Sequence, residues 1–289
     1  MALQPGAGGE RITLNNGLAF PIVSFGLETY SDDTAERLTG MAISVGYRNF
    51  FSSVLGENQV GFARAVAASG VPREELFICG SVLSNEARGF NEAYELTKQG
   101  CEENLKAFAV GGIKYVDMIM LDQPAKDCDA IRGQWKAFEE MLAAGQTRSL
   151  AVSNFSPEQL DCILSDKSAT VPTVNQLGLP VGGADASVVE ENRKRNVVVQ
   201  AWSPLGTLHP PQKYRPSPGV TRLCTDIGRA HGKTKEQVAL RWLVQLGATF
   251  TTHTSVKEHF IDDLDIFDFA LTDAEMQRLT KVSVWNEAL

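Results

Sequence analysis

Eight short apolar runs, each followed by a segment of helical character, constrain the fold of this chain more than any other feature. The runs span residues 23–27, 49–52, 76–80, 116–121, 149–153, 173–176, 197–201 and 248–251. Parallel strands need long crossover connections, and helices usually supply them. Eight strand–helix units in succession therefore predict an α/β fold, a single (β/α)₈ TIM barrel.

Turn and capping residues predict further elements around this barrel. Asn15-Asn16-Gly17 lies between alternating apolar residues and predicts a β-hairpin, because Gly supplies the positive φ that a tight turn needs. Thr272 and Glu275 have the spacing of a capping box and predict a last helix. The expected bounds are 11–20 for the hairpin, 22–270 for the barrel, 204–218 for a long proline-rich loop, 272–282 for the last helix and 1–289 for the single domain.

The composition argues against several classes of function. The net charge is −8 and no basic run is present, so a surface for nucleic acid or anionic membranes is not expected. No uncharged apolar stretch reaches the length of about 18 residues that a membrane span needs. Residues 1–10 have neither a basic start nor an apolar run, so no secretory signal is expected. A small-molecule ligand is the expected partner.

The cysteines and histidines predict neither a disulfide framework nor a metal site. The five cysteines are an odd number without a C-x-x-C pair, which predicts free thiols in a reducing compartment such as the cytoplasm. The four histidines lie far apart or on predicted helices, without the spacing of metal ligands. These residues are Cys79, Cys101, Cys128, Cys162 and Cys224, and His209, His231, His253 and His259.

Seven segments, in the order in which they occur, resemble motifs of the aldo-keto reductase family and span essentially the whole chain. They are Gly46-Tyr47-Arg48, Leu76-Phe77-Ile78, Gly145 to Phe155, Val174-Asn175-Gln176, Trp202 to Gly206, Gln237 to Trp242, and Phe267-Asp268-Phe269. The resemblance implies a barrel that binds NADPH across its C-terminal face and passes a hydride to a carbonyl. It also implies a Tyr that donates a proton, a Lys that lowers the pKa of this Tyr, an Asp that pairs with the Lys, and a His that orients the carbonyl.

All four of these catalytic positions are substituted in this chain. The family segment G-Y-R-H-x-D-T-A-x-x-Y-x-N-E aligns with residues 46–59, so that Phe51 replaces the Asp and Gly56 replaces the Tyr. Ser81 stands at the Lys position and Asp122 at the His position, and no Tyr, Lys or His is adjacent to any of the four. General acid–base catalysis contributes about 10²–10⁴-fold to a rate. The substitutions therefore predict that standard carbonyl reduction is lost or very weak.

The residues that the resemblance assigns to the nicotinamide are retained. Ser153, Asn154 and Gln176 match residues that bond the carboxamide, and Trp202 takes the place of an aromatic residue that stacks on the ring. Ser203 and Leu205 fall at positions that meet the pyrophosphate. For Ser153 and Asn154, capping of a strand end is the structural alternative.

The residues assigned to the adenosine half are weakened. His253 and His259 replace the Lys and Arg that grip the 2′-phosphate, with Thr254 next to the first, and Asp263 replaces the Asn that reads adenine. The charge of histidine depends on pH near neutrality. Each lost charge-assisted bond is worth about 1.5–3 kcal/mol, so NADPH binding is expected to weaken by about 10²–10⁴-fold. Either NADP or NAD remains a candidate cofactor.

Three hypotheses of function follow. The first is a family member that binds a nicotinamide nucleotide or a similar ligand, with Asp122 as the titratable group and Ser81, Asn49 and Ser52 as its polar neighbours. The second is a non-catalytic barrel that serves a protein partner as a binding or assembly subunit. The third is a slow oxidoreductase in which Asp122 or water donates the proton.

Overall fold

A computed structural model describes residues 9–27, 29–211 and 216–283. Over these residues, eight parallel strands close into a barrel in chain order, with the last strand paired to the first. The strands of the barrel are β3 Val23–Leu27, β4 Asn49–Ser52, β5 Phe77–Val82, β6 Met118–Leu121, β7 Leu150–Ser153, β8 Val174–Gly178, β9 Val198–Trp202 and β10 Thr249–Thr252. The preceding hairpin pairs β1 Arg11–Thr13 with β2 Ala19–Pro21. The predicted barrel and hairpin are confirmed.

The helices of the described ranges surround this barrel. They are α1 Asp32–Ser44, α2 Gln59–Ala68, α3 Gly89–Ala109, α4 Cys128–Ala143, α5 Pro157–Leu164, α6 Ser187–Lys194, α7 Pro218–His231, α8 Lys235–Leu246, α9 Lys257–Leu264 and α10 Asp273–Lys281. The capping box of Thr272 and Glu275 starts the last one as predicted. Within the described ranges, no helix combines the length and apolar character needed to cross a membrane. Part of the predicted 204–218 loop, residues 212–215, lies outside the described residues.

The strand sequences lack alternation because both faces of the barrel are covered. Every residue of β4, β6, β7 and β10 is buried. A parallel sheet with side chains inside and helices outside buries each position, so its strands form continuous apolar runs. A polar residue in such a run is therefore a candidate for a role other than core packing.

The prediction of free thiols is wrong for two of the five cysteines. Cys128 at the start of α4 and Cys162 in α5 form a disulfide with a Cα–Cα distance of 5.3 Å, although 34 positions separate them in sequence. Packing of α4 against α5 brings the two together. Cys79, Cys101 and Cys224 are free and buried. The argument for a reducing compartment that rested on free cysteines therefore no longer holds.

A buried ion cluster fixes the N-terminal end of the barrel. Asp117 is 1 % exposed and precedes β6. Its Oδ2 lies 2.7 Å from Arg73 Nη2 and accepts a 3.0 Å hydrogen bond from the backbone N–H of Ile78, while its Oδ1 lies 2.9 Å from Arg148 Nη1. One carboxylate thus joins the loop before β5, the strand β5 itself and the loop before β7.

Candidate functional site

The polar residues of interest gather at the C-terminal ends of the strands. Asp122 follows β6, Ser153 ends β7, Gln176 lies in β8 and Trp202 ends β9. Parallel strands in a barrel point their C-terminal ends to one face, where barrels of this kind carry their chemistry. We call this face the barrel mouth.

Asp122 forms the centre of a buried polar cluster. Its Oδ2 accepts hydrogen bonds from Ser81 Oγ at 2.6 Å and from Ser53 Oγ at 2.9 Å. Asp122 is 7 % exposed and Ser81 is fully buried. We name these three residues the Asp122 cluster, and it occupies the positions where the sequence resemblance expects the Lys and the His.

The backbone fixes the direction of the two hydroxyl protons. Ser81 Oγ accepts a 2.9 Å hydrogen bond from the backbone N–H of Val54, and Ser53 Oγ accepts one of 3.1 Å from Leu55. Each hydroxyl is then free to donate its proton to the carboxylate. Burial raises the pKa of Asp122, and the two hydroxyl bonds oppose that rise. The cluster therefore presents the carboxylate as an acceptor.

The prediction that Asn49 and Ser52 are polar neighbours of Asp122 is wrong. Asn49, at the start of β4, donates to the backbone carbonyl of Pro21 at 2.8 Å. Ser52 is fully buried, and its hydroxyl has no hydrogen-bond partner among the described residues. Ser53, one residue later, makes the contact with Asp122 because the chain leaves β4 there and enters a 3₁₀ turn over Val54–Gly56.

Phe51 precedes Ser53 in the chain and Gly56 follows it. Phe51 is 9 % exposed, belongs to the hydrophobic core and pairs in register with Cys79 of β5. Gly56 is buried at the end of the 3₁₀ turn. An apolar ring and a bare backbone therefore stand where the resemblance expects a carboxylate and a phenol.

Four of the predicted nicotinamide residues are joined by hydrogen bonds. Ser153 Oγ donates to the backbone carbonyl of Gln176 at 3.2 Å, and Asn154 Nδ2 donates to Ser153 Oγ at 3.1 Å. Trp202 Nε1 donates to Asn154 Oδ1 at 3.0 Å. Asn154 has φ of +62°, a left-handed backbone conformation that asparagine tolerates better than most residues.

Trp202 offers a ring surface at the barrel mouth. Its side chain is 42 % exposed, which is unusual for a large aromatic residue. Gly178 lies against the ring, since a Cβ on this glycine would sit 2.9 Å from Cζ2 of Trp202. The ring is thus supported from within the sheet and leaves area free for a flat ligand.

The remaining predicted cofactor residues line an open cleft of about 400 Å³ beside Trp202. Its walls are the loop after β9, the start of α8, the end of β10 and α9. We name it the histidine cleft, and its lining residues are Ser203, Pro204, Leu205, Gly206, His209, Thr234, Glu236, Thr252, His253, Thr254, His259, Asp262 and Asp263. Three carboxylic acids and three histidines line it, and the described lining contains no Lys or Arg.

Three of the four histidines line this one cleft, although they lie far apart in sequence. His209 Nε2 lies 2.6 Å from Glu236 Oε1, and His259 Nδ1 lies 3.0 Å from Thr254 Oγ1. Distance along the chain did not anticipate this, because β9 and β10 are neighbours in the barrel. Within the described ranges, no group of three or more His, Cys, Asp or Glu side chains is arranged to hold a metal ion.

The side chain of Asp263, at the cleft wall, is buried and bonded to residues of the protein. Its Oδ2 accepts hydrogen bonds from Thr252 Oγ1 at 2.6 Å and from the Tyr47 hydroxyl at 3.2 Å. The residue is 6 % exposed, and burial raises the pKa of its carboxyl to about 6. Burial and the neighbouring Asp263 also raise the pKa of Tyr47.

The raised pKa of Asp263 predicts a pH-dependent stability. Between its ordinary pKa of 3.8 and its folded value of about 6, the folded state holds a proton that the unfolded state lacks. The free energy of unfolding is therefore expected to fall as the pH rises through this window. Asp263→Asn keeps the carbonyl acceptor without the charge, and we expect it to flatten this fall and to stabilise the protein by about 1–2 kcal/mol near pH 7.

Urea unfolding over the same pH range measures this effect. The exposed Asp166, which is held only by Ser168, is a matched control as Asp166→Asn. A fall in stability that persists unchanged in Asp263→Asn would assign it to other groups.

Several residues of the site were missed in the sequence. Ser53 could be found only as a serine that caps a short turn, and Glu236 and Thr234 carry no motif beyond their place at a helix start. The helix α9 was not predicted, because its residues were interpreted only as a cofactor segment. Its start at Lys257 places His259 on the first turn.

The residues present fit a nicotinamide nucleotide in part. The exposed Trp202 ring and the free Oε1 of Gln176, which accepts no hydrogen bond among the described residues, suit a flat ring with a carboxamide. The lining of the histidine cleft begins at Ser203, the residue after Trp202. The carboxylates of the cleft lining disfavour a phosphate dianion, and Lys235 pairs with one of them, Glu236.

Comparison with known proteins gives one consistent match. The model of the Aldo/keto reductase family matches residues 18–284. An aldo-keto reductase of Mycolicibacterium smegmatis is 32% identical over 268 residues, which cover 93% of this chain and 89% of that protein. Morphine 6-dehydrogenase of Pseudomonas putida is 32% identical over 279 residues, which cover 94% of this chain and 90% of that protein.

Solved structures share the fold. An aldo/keto reductase from Brucella melitensis has a TM-score of 0.83 and 25% identity, covering 94% of this chain and 99% of that chain. An aldo-keto reductase of Bombyx mori in complex with NADP has a TM-score of 0.83 and 24% identity, covering 96% of this chain and 93% of that chain. The second likeness carries the fold alone.

Proposed function

Because this chain belongs to the aldo/keto reductase family, we propose that it binds a nicotinamide nucleotide while standard carbonyl reduction is lost or very slow. The proposal combines a retained cofactor groove with a substituted proton donor. In this sense the protein is a pseudoenzyme with respect to the usual reaction of its family. A different hydride acceptor remains compatible with the same groove.

The observation that carries the proposal is the Asp122 cluster. In a carbonyl reduction, the hydride leaves an alkoxide that must take up a proton. Ser53 and Ser81 both direct their hydroxyl protons to the Asp122 carboxylate, and no lysine ammonium stands beside it in the described ranges. A serine hydroxyl that already donates to a carboxylate is a poor acid for an alkoxide.

We assign the retained binding residues as follows. Trp202 stacks on the nicotinamide ring, Ser153 and Gln176 bond its carboxamide, and Asn154 orients Trp202 through the indole N–H. Ser203 and Leu205 lie along the pyrophosphate, and the adenosine end lies in the histidine cleft against His253, Thr254 and His259. A bound reduced nicotinamide supplies a hydride, and the protein's part is to hold and orient it.

The groove is expected to grip a 2′-phosphate weakly. Glu236, Asp262 and Asp263 line the histidine cleft, and its described lining offers histidines in place of Lys or Arg. A phosphate dianion there meets carboxylates without a permanently cationic side chain in the described lining. NAD, which lacks this phosphate, avoids the conflict.

Fluorescence titration with NADPH and NADH tests the proposal, together with hydride transfer to a panel of aldehydes. We expect nucleotide binding, with little advantage for NADPH, and aldehyde turnover far below about 1–10³ per second. Absence of binding of either nucleotide would favour the non-catalytic assembly subunit. Ordinary aldehyde turnover would contradict the proposed loss of function.

Restoring a permanent charge in the histidine cleft is expected to favour NADPH. His259→Arg adds a forked cation at the start of α9, and we expect NADPH affinity to rise by about 10-fold or more while NADH affinity changes little. His231→Arg is the matched control, since His231 ends α7 and pairs with Glu275. Equal gains for both nucleotides would show that the added charge does not meet the 2′-phosphate.

A further inference from the structure

Asp122 is a buried carboxylate without a cationic partner in the part of the chain that the structure describes. Its Oδ2 accepts the two serine hydroxyls, and its Oδ1 accepts no hydrogen bond from a described residue. No described Lys, Arg or His forms an ion pair with it, while 7 % of the residue remains exposed. Burial of an unpaired charge is costly, so a cation that reaches such a site is strongly favoured.

Trp202 is linked to the backbone of Asp122 through the side chain of Asn154. Asn154 Nδ2 donates to the backbone carbonyl of Asp122 at 3.3 Å, and Asn154 Oδ1 accepts from Trp202 Nε1 at 3.0 Å. One side chain therefore joins Asp122 to the exposed indole.

Two exposed leucines lie close in sequence to the serines of the Asp122 cluster. Leu55 is 57 % exposed and lies two residues after Ser53, while Leu83 is 42 % exposed and lies two residues after Ser81. Exposed leucines are unremarkable singly. Here both belong to the two segments that supply the hydroxyls of the cluster, and they offer apolar surface on those segments.

We propose that the ligand selected by the barrel mouth is an organic cation whose charged nitrogen pairs with Asp122 and whose apolar body lies toward Leu55 and Leu83, while Trp202 holds the nicotinamide. This inference rests on the proposed function, because it names the substrate class of the same site. It assigns Asp122 as a counter-ion for the ligand and not as a proton donor.

An iminium is the hydride acceptor within this class. Hydride addition to an iminium carbon forms one C–H bond and returns the C=N π pair to nitrogen as a lone pair, so that a reduced nicotinamide nucleotide is oxidised and a neutral amine forms. No proton is consumed, whereas addition to a carbonyl requires one. Substitution of the family's Tyr and Lys is then compatible with reduction, and the carboxylate favours binding of the charged acceptor.

Isothermal titration calorimetry on the whole chain tests the inference with two probes of similar size. The probes are the cation N-methyl dihydroisoquinolinium and the uncharged ketone tetralone, each with and without NADH. We expect the cation to bind about 10- to 100-fold more tightly than the ketone. Asp122→Asn should remove this preference. Glu86→Gln, an exposed carboxylate in the loop after β5 that pairs with Lys126, should leave it intact.

Each outcome decides the matter. Equal affinity of the two probes for the unmodified protein overturns the inference without reliance on any variant. Loss of affinity for oxidised nucleotide in Asp122→Asn, with iminium binding unchanged, would assign the carboxylate to the pyridinium ring and also overturn it. With NADH present, faster reduction of the iminium than of tetralone supports the substrate class, and the reverse order contradicts it. Failure of NADH itself to bind would instead contradict the proposed function.

Discussion

Restoring the Asp, Tyr, Lys and His of the family's four catalytic positions is expected to raise the rate of aldehyde reduction by about 10²–10⁴-fold over that of the unmodified protein. The variant combines Phe51→Asp, Gly56→Tyr, Ser81→Lys and Asp122→His. The phenol introduced by Gly56→Tyr would supply the missing proton, and the Lys and Asp introduced on β5 and β4 would tune it. These strands are paired in register, with Phe51 opposite Cys79, so Ser81 lies two residues further toward the barrel mouth. Steady-state oxidation of NADPH with an aldehyde measures the gain.

The matched control for this variant differs from it only in lacking the phenol hydroxyl. Gly56→Phe, in place of Gly56→Tyr and with the other three substitutions kept, fills the same space without a hydroxyl. We expect it to stay near the rate of the unmodified protein, provided that thermal melting shows both variants folded. Equal rates for the two would mean that the shape of the pocket, and not proton donation, limits the reaction.

Removal of the Asp117 carboxylate is expected to lower the free energy of unfolding by about 3–4 kcal/mol. Asp117→Ala leaves Arg73 and Arg148 without their shared partner and the backbone N–H of Ile78 without an acceptor. A buried charge that loses its partner costs more than an exposed one, although partial exposure of the two arginines lets water replace some of the loss. Urea unfolding measures the change.

An exposed pair of the same chemistry provides the control. Asp226 lies 3.5 Å from Arg229 on the surface of α7, and both side chains are more than half exposed. Asp226→Ala is expected to change the free energy of unfolding by less than about 1 kcal/mol. A similar loss in the two variants would show that burial of Asp117 adds nothing.

The barrel could be predicted from sequence because its strands are buried on both faces. Continuous apolar runs, such as the one that became β6, need no knowledge of partners to be recognised. The ends were less certain: the predicted run began at Val116, which forms only an isolated bridge with Thr147 before β6 starts at Met118. Burial determined the runs, whereas local hydrogen bonds determined their ends.

The candidate site could be predicted only at positions where one residue carries the signal. Asp122 is conspicuous because an acid follows a buried apolar run. Its partner was misplaced by one residue, since Ser52 and Ser53 have the same chemistry and only the departure from β4 turns the second toward Asp122. A one-residue shift along a strand moves a side chain to the opposite face.

Contacts between distant segments were beyond the reach of a single sequence. The disulfide of Cys128 with Cys162 depends on the packing of α4 against α5. The placement of His209 and His259 in one cleft depends on the adjacency of β9 and β10. In each case the residues have no spacing that indicates a pair, and only the closed barrel brings them together.

The rate at which the unmodified protein reduces simple aldehydes with saturating NADPH or NADH tests the central claim most directly. In the Asp122 cluster a carboxylate accepts hydrogen bonds at the place where the reaction needs a proton donor. Turnover is therefore expected to lie at least about 10²-fold below the ordinary range of about 1–10³ per second. Turnover within that range, with nucleotide binding intact, would contradict the account.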